Sequence, residues 1–252
     1  MTFKDHFSTK SNDYATYRPS YPKALAEALA NLCDDRSLVL DCACGTGQLS
    51  VVLSDYFKQV IATDASSAQI ANAQPYAGVS YRVASAENSQ LADHSVDLIS
   101  VAQAAHWLDL ESFYAEVKRI VKPNGVLALI TYGILSVDDL ACDRVAHDFY
   151  HNTLDDYWPP ERRHVESGYQ TLPFPFEEVV FPSLQMCEQW NFHQLFGYFS
   201  TWSAFKALEQ ANGQEAVEAF RHALSTAWGD LNCPKQITWP LSVRVGVDRR
   251  YR

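Results

Sequence analysis

The stretch from Ser37 to Leu53 constrains the fold more than any other part of the chain. Ser37-Leu38-Val39-Leu40 is short, apolar and β-prone. Asp41-Cys42-Ala43-Cys44-Gly45-Thr46-Gly47 follows, and Gln48-Leu49-Ser50-Val51-Val52-Leu53 reads as the first turns of a helix. Strand, glycine turn and helix in this order bring backbone N–H groups and a helix N-terminus up to a ligand. Gly45 and Gly47 carry no Cβ, so the chain can turn tightly and a ligand can lie against it.

Acids sharpen that reading. Asp41 ends the first strand. Lys58 to Thr63 makes a second strand that runs into Asp64-Ala65, and Ser80 to Val83 makes a third, followed by Ala86-Glu87. Each strand carries an acid at or beyond its carboxyl end, where open α/β sheets bind ligands, and an acid after the second can accept hydrogen bonds from a ribose diol. The plainer alternative for any one acid is a helix cap or turn residue.

Asp41-x-Ala43-x-Gly45-x-Gly47, Asp64 and Ala86-Glu87 together resemble the class I S-adenosylmethionine-dependent methyltransferases. Tyr14-Ala15-x-Tyr17-Arg18-Pro19-x-Tyr21-Pro22, Gln103-Ala104-x-His106-Trp107 and Thr201-Trp202-Ser203 resemble the branch containing trans-aconitate methyltransferase, so the resemblance covers nearly the whole chain. It implies S-adenosylmethionine as cofactor. Asp64 and its neighbour Ala65 would take the ribose, Ala86 and Glu87 the adenine, and Asp41, Ala43, Gly45 and Gly47 the turn beside the methionine part. Tyr14, Tyr17 and Arg18 would lie in an N-terminal cover over the cofactor. One residue departs from the pattern: the family usually has Gly where this chain has Ala43.

Methyl transfer from a sulfonium is an in-line displacement with a neutral leaving group, so it needs positioning and water exclusion more than a nucleophile triad. Gln103, at the end of the fourth strand, would sit near the reacting end and count as both cofactor-binding and catalytic. His106 could take a proton from a hydroxyl acceptor or orient it, and the plainer alternative is a loop histidine packed by Trp107. Trp107, Tyr132, Trp202 and Ser203 are further candidates for an acceptor pocket. A carboxylate acceptor needs no base, but an arginine to hold it; Arg18, Arg162 and Arg163 are all available.

Composition narrows the classes. The chain has 252 residues, is 47% apolar and carries a net charge of −10. It is globular, with room for one domain or a domain with a lid, and disfavoured as a binder of nucleic acid. No apolar run is long enough to span a membrane, and Met1 to His6 has no apolar signal-peptide core. Cys42 and Cys44 read as small turn residues, because no second pair stands at ligand spacing, so no metal is expected. The scattered cysteines suit a reducing compartment, most simply the cytoplasm.

Five strands alternating with helices up to Tyr132 predict an α/β fold: a doubly wound, mostly parallel Rossmann-like sheet. The expected division is a cover at 1–20, a cofactor-binding core at 21–132, a helical lid and acceptor region at 133–235 containing one strand near Glu177 to Phe181, and an antiparallel closing edge strand at 236–252, with Pro240 at an edge or bulge. The rival readings are a nicotinamide-dependent oxidoreductase, weakened by Ser50 where a third glycine would stand, and a cofactor-binding protein without turnover. Oligomeric state is left open.

Overall fold

A computed structural model describes residues 17–212 and 214–250. The half of the chain up to Tyr132 alternates strand and helix because apolar runs alternate with amphipathic ones. Helix α1 (Lys23–Ala30) buries Leu25, Ala26, Leu29 and Ala30, an i, i+1, i+4, i+5 face. Then come β1 (Leu38–Cys42), α2 (Gln48–Leu53), β2 (Gln59–Asp64), α3 (Ser67–Ala71) and β3 (Val79–Val83). After these stand β4 (Val96–Ala102), α4 (Leu110–Ile120) and β5 (Val121–Tyr132). Asp109 caps α4 by accepting from the Ser112 amide, as its position before an apolar-periodic run predicts.

Strand order is β3-β2-β1-β4-β5, all parallel. The chain builds outward from β1 to β3, then crosses back to set β4 on the other side of β1. That reversal leaves a crevice at the carboxyl ends of β1 and β4, the point where such sheets take their ligands. Strands β4 and β5 are almost wholly buried, as a strand covered on both faces must be.

Beyond Tyr132 the chain is more mixed than its helical periodicity suggests. It contains β6 (Ser136–Val137), α5 (Leu140–Asp148), α6 (Arg162–Glu166), β7 (Glu177–Glu178), β8 (Leu184–Trp190), α7 (Phe192–Ser200), α8 (Ser203–Asn212), α9 (Gln214–Trp228) and β9 (Lys235–Val247). β9 closes the parallel part antiparallel against β5, as expected. It also pairs with β6, β7 and β8, so the sheet continues past it. β8 was not anticipated, although Leu184, Met186, Glu188 and Trp190 alternate with Gln185, Cys187 and Gln189 in the manner of a strand.

Pro240 stands where β9 passes from β5 to β6. The Gly133 amide donates to its carbonyl, and β5 has ended one residue earlier, so the donor that proline lacks falls at the gap in the ladder. One apolar cluster joins α1 and the sheet to the helices beyond Tyr132: Leu25, Val39 and Ile130 share it with Phe149, Phe199, Leu224 and Trp239. A second, on the opposite face of the sheet, holds Ile99, Phe113, Leu127 and Tyr169. Each large apolar side chain removed from water there contributes roughly 1.5–3 kcal/mol before entropy is charged against it. Among the described residues, no helix is long and apolar enough to cross a membrane.

Candidate active site

The turn after β1 is tied to β2 at one end and closed on itself at the other. The Cys44 amide donates to the Thr63 carbonyl at 2.9 Å, and the Gly47 amide to the Cys44 carbonyl at 3.0 Å. Three of its residues are left-handed: Ala43 at φ 54°, Gly45 at 58° and Gly47 at 90°. For the glycines this costs little; for Ala43 it is strain. A Cβ on Gly47 would stand 2.5 Å from the Tyr81 ring, so only glycine lets the turn pass beneath it. A Cβ on Gly45 would meet nothing closer than Gln69 Oε1 at 3.9 Å, which leaves open space along the turn.

Asp64 accepts from the Gly45 amide at 2.9 Å and the Ser66 amide at 2.8 Å. Two bonded amides leave acceptor capacity on a carboxylate. Asp41 is placed differently from its expected role as a ligand contact. It is 1% exposed, and its oxygens accept from Ser50 Oγ and Ser100 Oγ. It braces the turn from beneath, and burial pushes its carboxyl up to about 6, against the pull of the two serine bonds.

Ala86 is buried and Glu87 half-buried in the loop after β3. Glu116 of α4 holds that loop by accepting from the Ser89 amide and hydroxyl, and Arg119 bonds Glu116, Asp93 and the Leu91 carbonyl. Ala65 follows Asp64, half-buried.

The residues present suit a polar nucleoside cofactor. Three buried polar atoms around the turn have no protein partner: Gln48 Nε2, Gln69 Oε1 and the Tyr81 hydroxyl. Buried polar groups are seldom left so; Gln69 Oε1 lies 3.9 Å from where a Cβ on Gly45 would stand, and the Tyr81 hydroxyl 2.5 Å from where one on Gly47 would. Sequence reasoning did not single out these three. Tyr81 sits on β3 and Gln69 on α3, and only the fold brings them over the glycines.

A second half of the site lies at the ends of β4 and β5, beneath α6, α7 and α8. It is a small open cleft of about 60 Å³ lined by Gln103, His106, Trp107 and Tyr132 from the sheet side. Arg18, Trp158, Arg162, Tyr198, Trp202 and Ser203 face them. Arg18, expected over the cofactor and also offered for an acidic acceptor, lies here: it donates to the Tyr132 hydroxyl at 2.9 Å, and its guanidinium stands 5.5 Å from the Tyr198 ring centre. Tyr17 packs against Gly197 of α7, where a Cβ would come within 2.6 Å of its ring. Tyr14 lies outside the described residues.

Of the three arginines offered for an acidic acceptor, Arg18 and Arg162 reach the cleft, while Arg163 is exposed and absent from its lining. Arg162 lies over Trp158 at 4.6 Å and donates from Nε to the Tyr150 hydroxyl at 2.7 Å. Trp202 does two things at once: it is 5% exposed, packed on Tyr150, Trp158 and Phe199, and it still lines the cleft.

Gln103 is left-handed at φ 57°, and both ends of its amide are taken by β5: it donates to the Tyr132 carbonyl at 3.2 Å and accepts from Thr131 Oγ1 at 3.0 Å. This fixes it as a rigid wall rather than a mobile acid or base. His106 bonds the Tyr169 hydroxyl through Nδ1 at 2.8 Å and packs on Trp107 at 4.6 Å. Burial, with Arg162 and His164 nearby, pushes its pKa down to about 3, so the ring is neutral at ordinary pH. Among the described residues no group of side chains could hold a metal ion.

Comparison with known proteins agrees with this geometry. Residues 40–129, which carry the turn and the first five strands, match the family model for a methyltransferase domain. A protein of Dictyostelium discoideum named provisionally as a methyltransferase is 34% identical over 229 residues, which are 90% of this chain and 87% of its own. A Saccharomyces cerevisiae protein named as an S-adenosylmethionine-dependent methyltransferase is 32% identical, over 49% of this chain and 45% of its own length. The solved structure of a provisionally named type II methyltransferase from Anaeromyxobacter dehalogenans superposes with a TM-score of 0.86 at 43% identity, covering 92% of this chain and 98% of that one. With its parallel sheet, glycine turn and strand-end acids, the chain belongs to the class I S-adenosylmethionine-dependent methyltransferases.

Proposed function

We propose that this enzyme methylates a small acceptor on oxygen, and that the acceptor carries a carboxylate. The observation behind this reading is the cleft lining: Arg18 and Arg162 converge there with His106, and no acidic side chain among the described residues joins them. Guanidinium groups match carboxylate geometry and hold it in two-point contact. The bound cofactor supplies an electrophilic methyl on a sulfonium. The chain's own task is then to aim a carboxylate oxygen at that methyl and keep water away. Arg18 and Arg162 orient the anion, and the rings of Trp107, Trp158 and Trp202 wall the cleft.

In this reading Asp64 and Ala65 meet the ribose, Ala86 and Glu87 the adenine, and Gly45 and Gly47 the methionine part. The cover, core, lid and closing strand divide the work at 1–20, 21–132, 133–235 and 236–252. A cytoplasmic setting suits six cysteines that are all unpaired.

The test has two stages. Calorimetric titration with S-adenosylhomocysteine should show one saturable site that is lost in Asp64→Ala, with NADH giving no heat. A screen of small acids, alcohols and amines, read as S-adenosylhomocysteine release, should then favour acids. Arg162→Gln should raise the acceptor KM about ten- to a hundredfold, the scale of a lost charged hydrogen bond, and leave S-adenosylhomocysteine affinity unchanged. Preference for an uncharged alcohol or amine, insensitive to Arg162, would overturn the acceptor class.

A further inference from the structure

Arg162 and Glu166 stand at the two ends of α6, at the i, i+4 spacing that lets an arginine and a glutamate on one helix reach each other. Here a third residue comes between them. Arg162 Nε donates to the Tyr150 hydroxyl at 2.7 Å, and that hydroxyl donates to Glu166 Oε1 at 2.7 Å. Chemistry fixes both directions. A guanidinium has only protons to give and a carboxylate only lone pairs, so the phenol accepts from the one and donates to the other. Burial pushes the Tyr150 pKa up to about 12, against the pull of Arg162, and the phenol keeps its proton at ordinary pH.

Tyr150 is held firmly in this position. It is 3% exposed and lies in a π-helical turn, Phe149–Thr153, where the Leu154 amide donates to the Phe149 carbonyl at 2.9 Å. Such widened turns recur at functional sites. The Tyr150 ring meets Trp202 edge-on at 5.6 Å and Trp158 at 5.0 Å. Trp158 Nε1 donates to the Tyr150 carbonyl at 3.4 Å. The Arg162 guanidinium lies 4.6 Å from the centre of the Trp158 ring and 5.3 Å from that of Tyr150. Ring faces hold a cation without neutralising it. With Nε engaged, the two Nη groups are left. Among the described residues they have no hydrogen-bond partner, and Arg162 lines the acceptor cleft.

We propose that Tyr150 is a spacer between Arg162 and Glu166: it lets the carboxylate fix the guanidinium without pairing with it, and so leaves the Nη edge of Arg162 to bind the acceptor's carboxylate end-on. Tyr150 is a positioning residue that acts through Arg162. What the Nη edge binds rests on the carboxylate reading; the separation of Arg162 from Glu166 does not. A direct Arg162–Glu166 pair would put a built-in anion where the acceptor's has to go. An uncharged phenol oxygen satisfies Nε and leaves the positive charge unspent. The same ring packs on Trp158 and Trp202, so the cationic edge and the aromatic wall of the cleft are set by one residue.

The test is the rate at which phenylglyoxal, which condenses with guanidino groups, modifies Arg162. It is read by peptide mass spectrometry on the full chain bound to S-adenosylhomocysteine, with exposed Arg163 as the internal reference. Tyr150→Phe keeps the ring and removes the phenol, so Glu166 closes on Arg162. Arg162 should then react about three- to fivefold more slowly, the scale of a part-exposed ion pair, with Arg163 unchanged. Tyr150→Phe/Glu166→Gln has no carboxylate to close and should return to the wild-type rate. With an acid found in the acceptor screen, KM should rise in Tyr150→Phe and fall back in the double variant, at constant kcat. A Tyr150→Phe rate equal to or above the wild type, or a double variant as slow as the single one, overturns the proposal. So does a loss of S-adenosylhomocysteine binding in Tyr150→Phe that Glu166→Gln does not restore, since the phenol would then be a packing element. The carboxylate reading is judged separately, by whether acetate protects Arg162 in the wild type. Absence of protection, with the variant rates in the expected order, sinks that reading and leaves the spacer role of Tyr150 standing.

Discussion

Ala43 and Asp41 show how much the glycine turn asks of single residues. Ala43 is held at φ 54°, where the family pattern has Gly. Ala43→Gly relieves a left-handed Cβ and adds freedom to the unfolded chain, and the first effect is larger. The variant should be stabilised by about 0.5–1 kcal/mol, seen as a higher urea midpoint at unchanged slope. Asp41 makes a prediction with a sign. Its pKa is about 6 when folded and near the ordinary 3.8 when unfolded. The unfolded chain therefore ionises first, and stability present below pH 3.8 is lost as pH rises through 6. Relative to Asp41→Asn, the wild type should lose unfolding temperature between pH 4 and 6.5 and hold a constant deficit above. A difference flat across that range would mean the carboxyl titrates normally.

At this scale the sequence revealed what is local. Asp41, Asp64 and Glu87 are found by counting to strand ends. Tyr81, Gln69 and Tyr169 are not, because each depends on where a distant element lands. The strain at Ala43, Gln103 and Tyr169 was likewise hidden: among the described residues, half of the six non-glycine residues with positive φ sit at the site or on His106, and only Ala43 could be suspected from its family pattern.

Among elements, α7 has the clearest job. It caps itself with a reciprocal Asn191–Gln194 pair, buries Phe192, Leu195, Tyr198 and Phe199, and offers Gly197 as a flat seat for Tyr17. Gly197→Ala should raise intrinsic helix stability by up to about 1 kcal/mol while pushing Tyr17 off the helix. The expected outcome is a midpoint that does not fall, together with faster proteolytic cleavage before residue 20 and weaker acceptor binding through the displaced Arg18. Unchanged cleavage would show that Tyr17 and Arg18 do not depend on the seat at Gly197.

The helices α7 and α9 were readable because their apolar spacing is regular; Val217, Phe220, Leu224 and Trp228 are all buried as the periodicity predicts. β8 was obscured by its aromatic, proline-bounded surroundings, and α6 is too short to show a period.

For the whole molecule, the question is whether the helices over the cleft form a unit of their own. The shared apolar cluster argues against it: the stacked Phe149 and Phe220 rings belong to the same continuous core as Leu25 and Val39. Calorimetry should therefore show a single transition for cradle and lid, shifted as one by S-adenosylhomocysteine. Two resolved transitions, only one of them ligand-sensitive, would contradict this. The doubly wound half was legible because parallel strands are buried on both faces and read as apolar runs. The strand pairings of β6, β7 and β8 were not, since all three are defined by β9, far along the chain.

That dependence on β9 has a consequence for synthesis. Trp239 within it is wholly buried and donates to the Tyr198 hydroxyl at 3.1 Å, and the strand carries Arg244, which donates to the Tyr169 carbonyl. Every strand it joins is translated before it. A chain still on the ribosome can assemble β1 to β5 and their glycine turn, but β6, β7 and β8 have no neighbour to pair with, and Tyr198 and Tyr169 lack the residues that hold them. The nascent enzyme thus acquires the means to hold its cofactor before it acquires a finished acceptor cleft, and until β9 emerges it exposes the unpaired border of β5 to any chaperone or neighbouring chain that can add a strand.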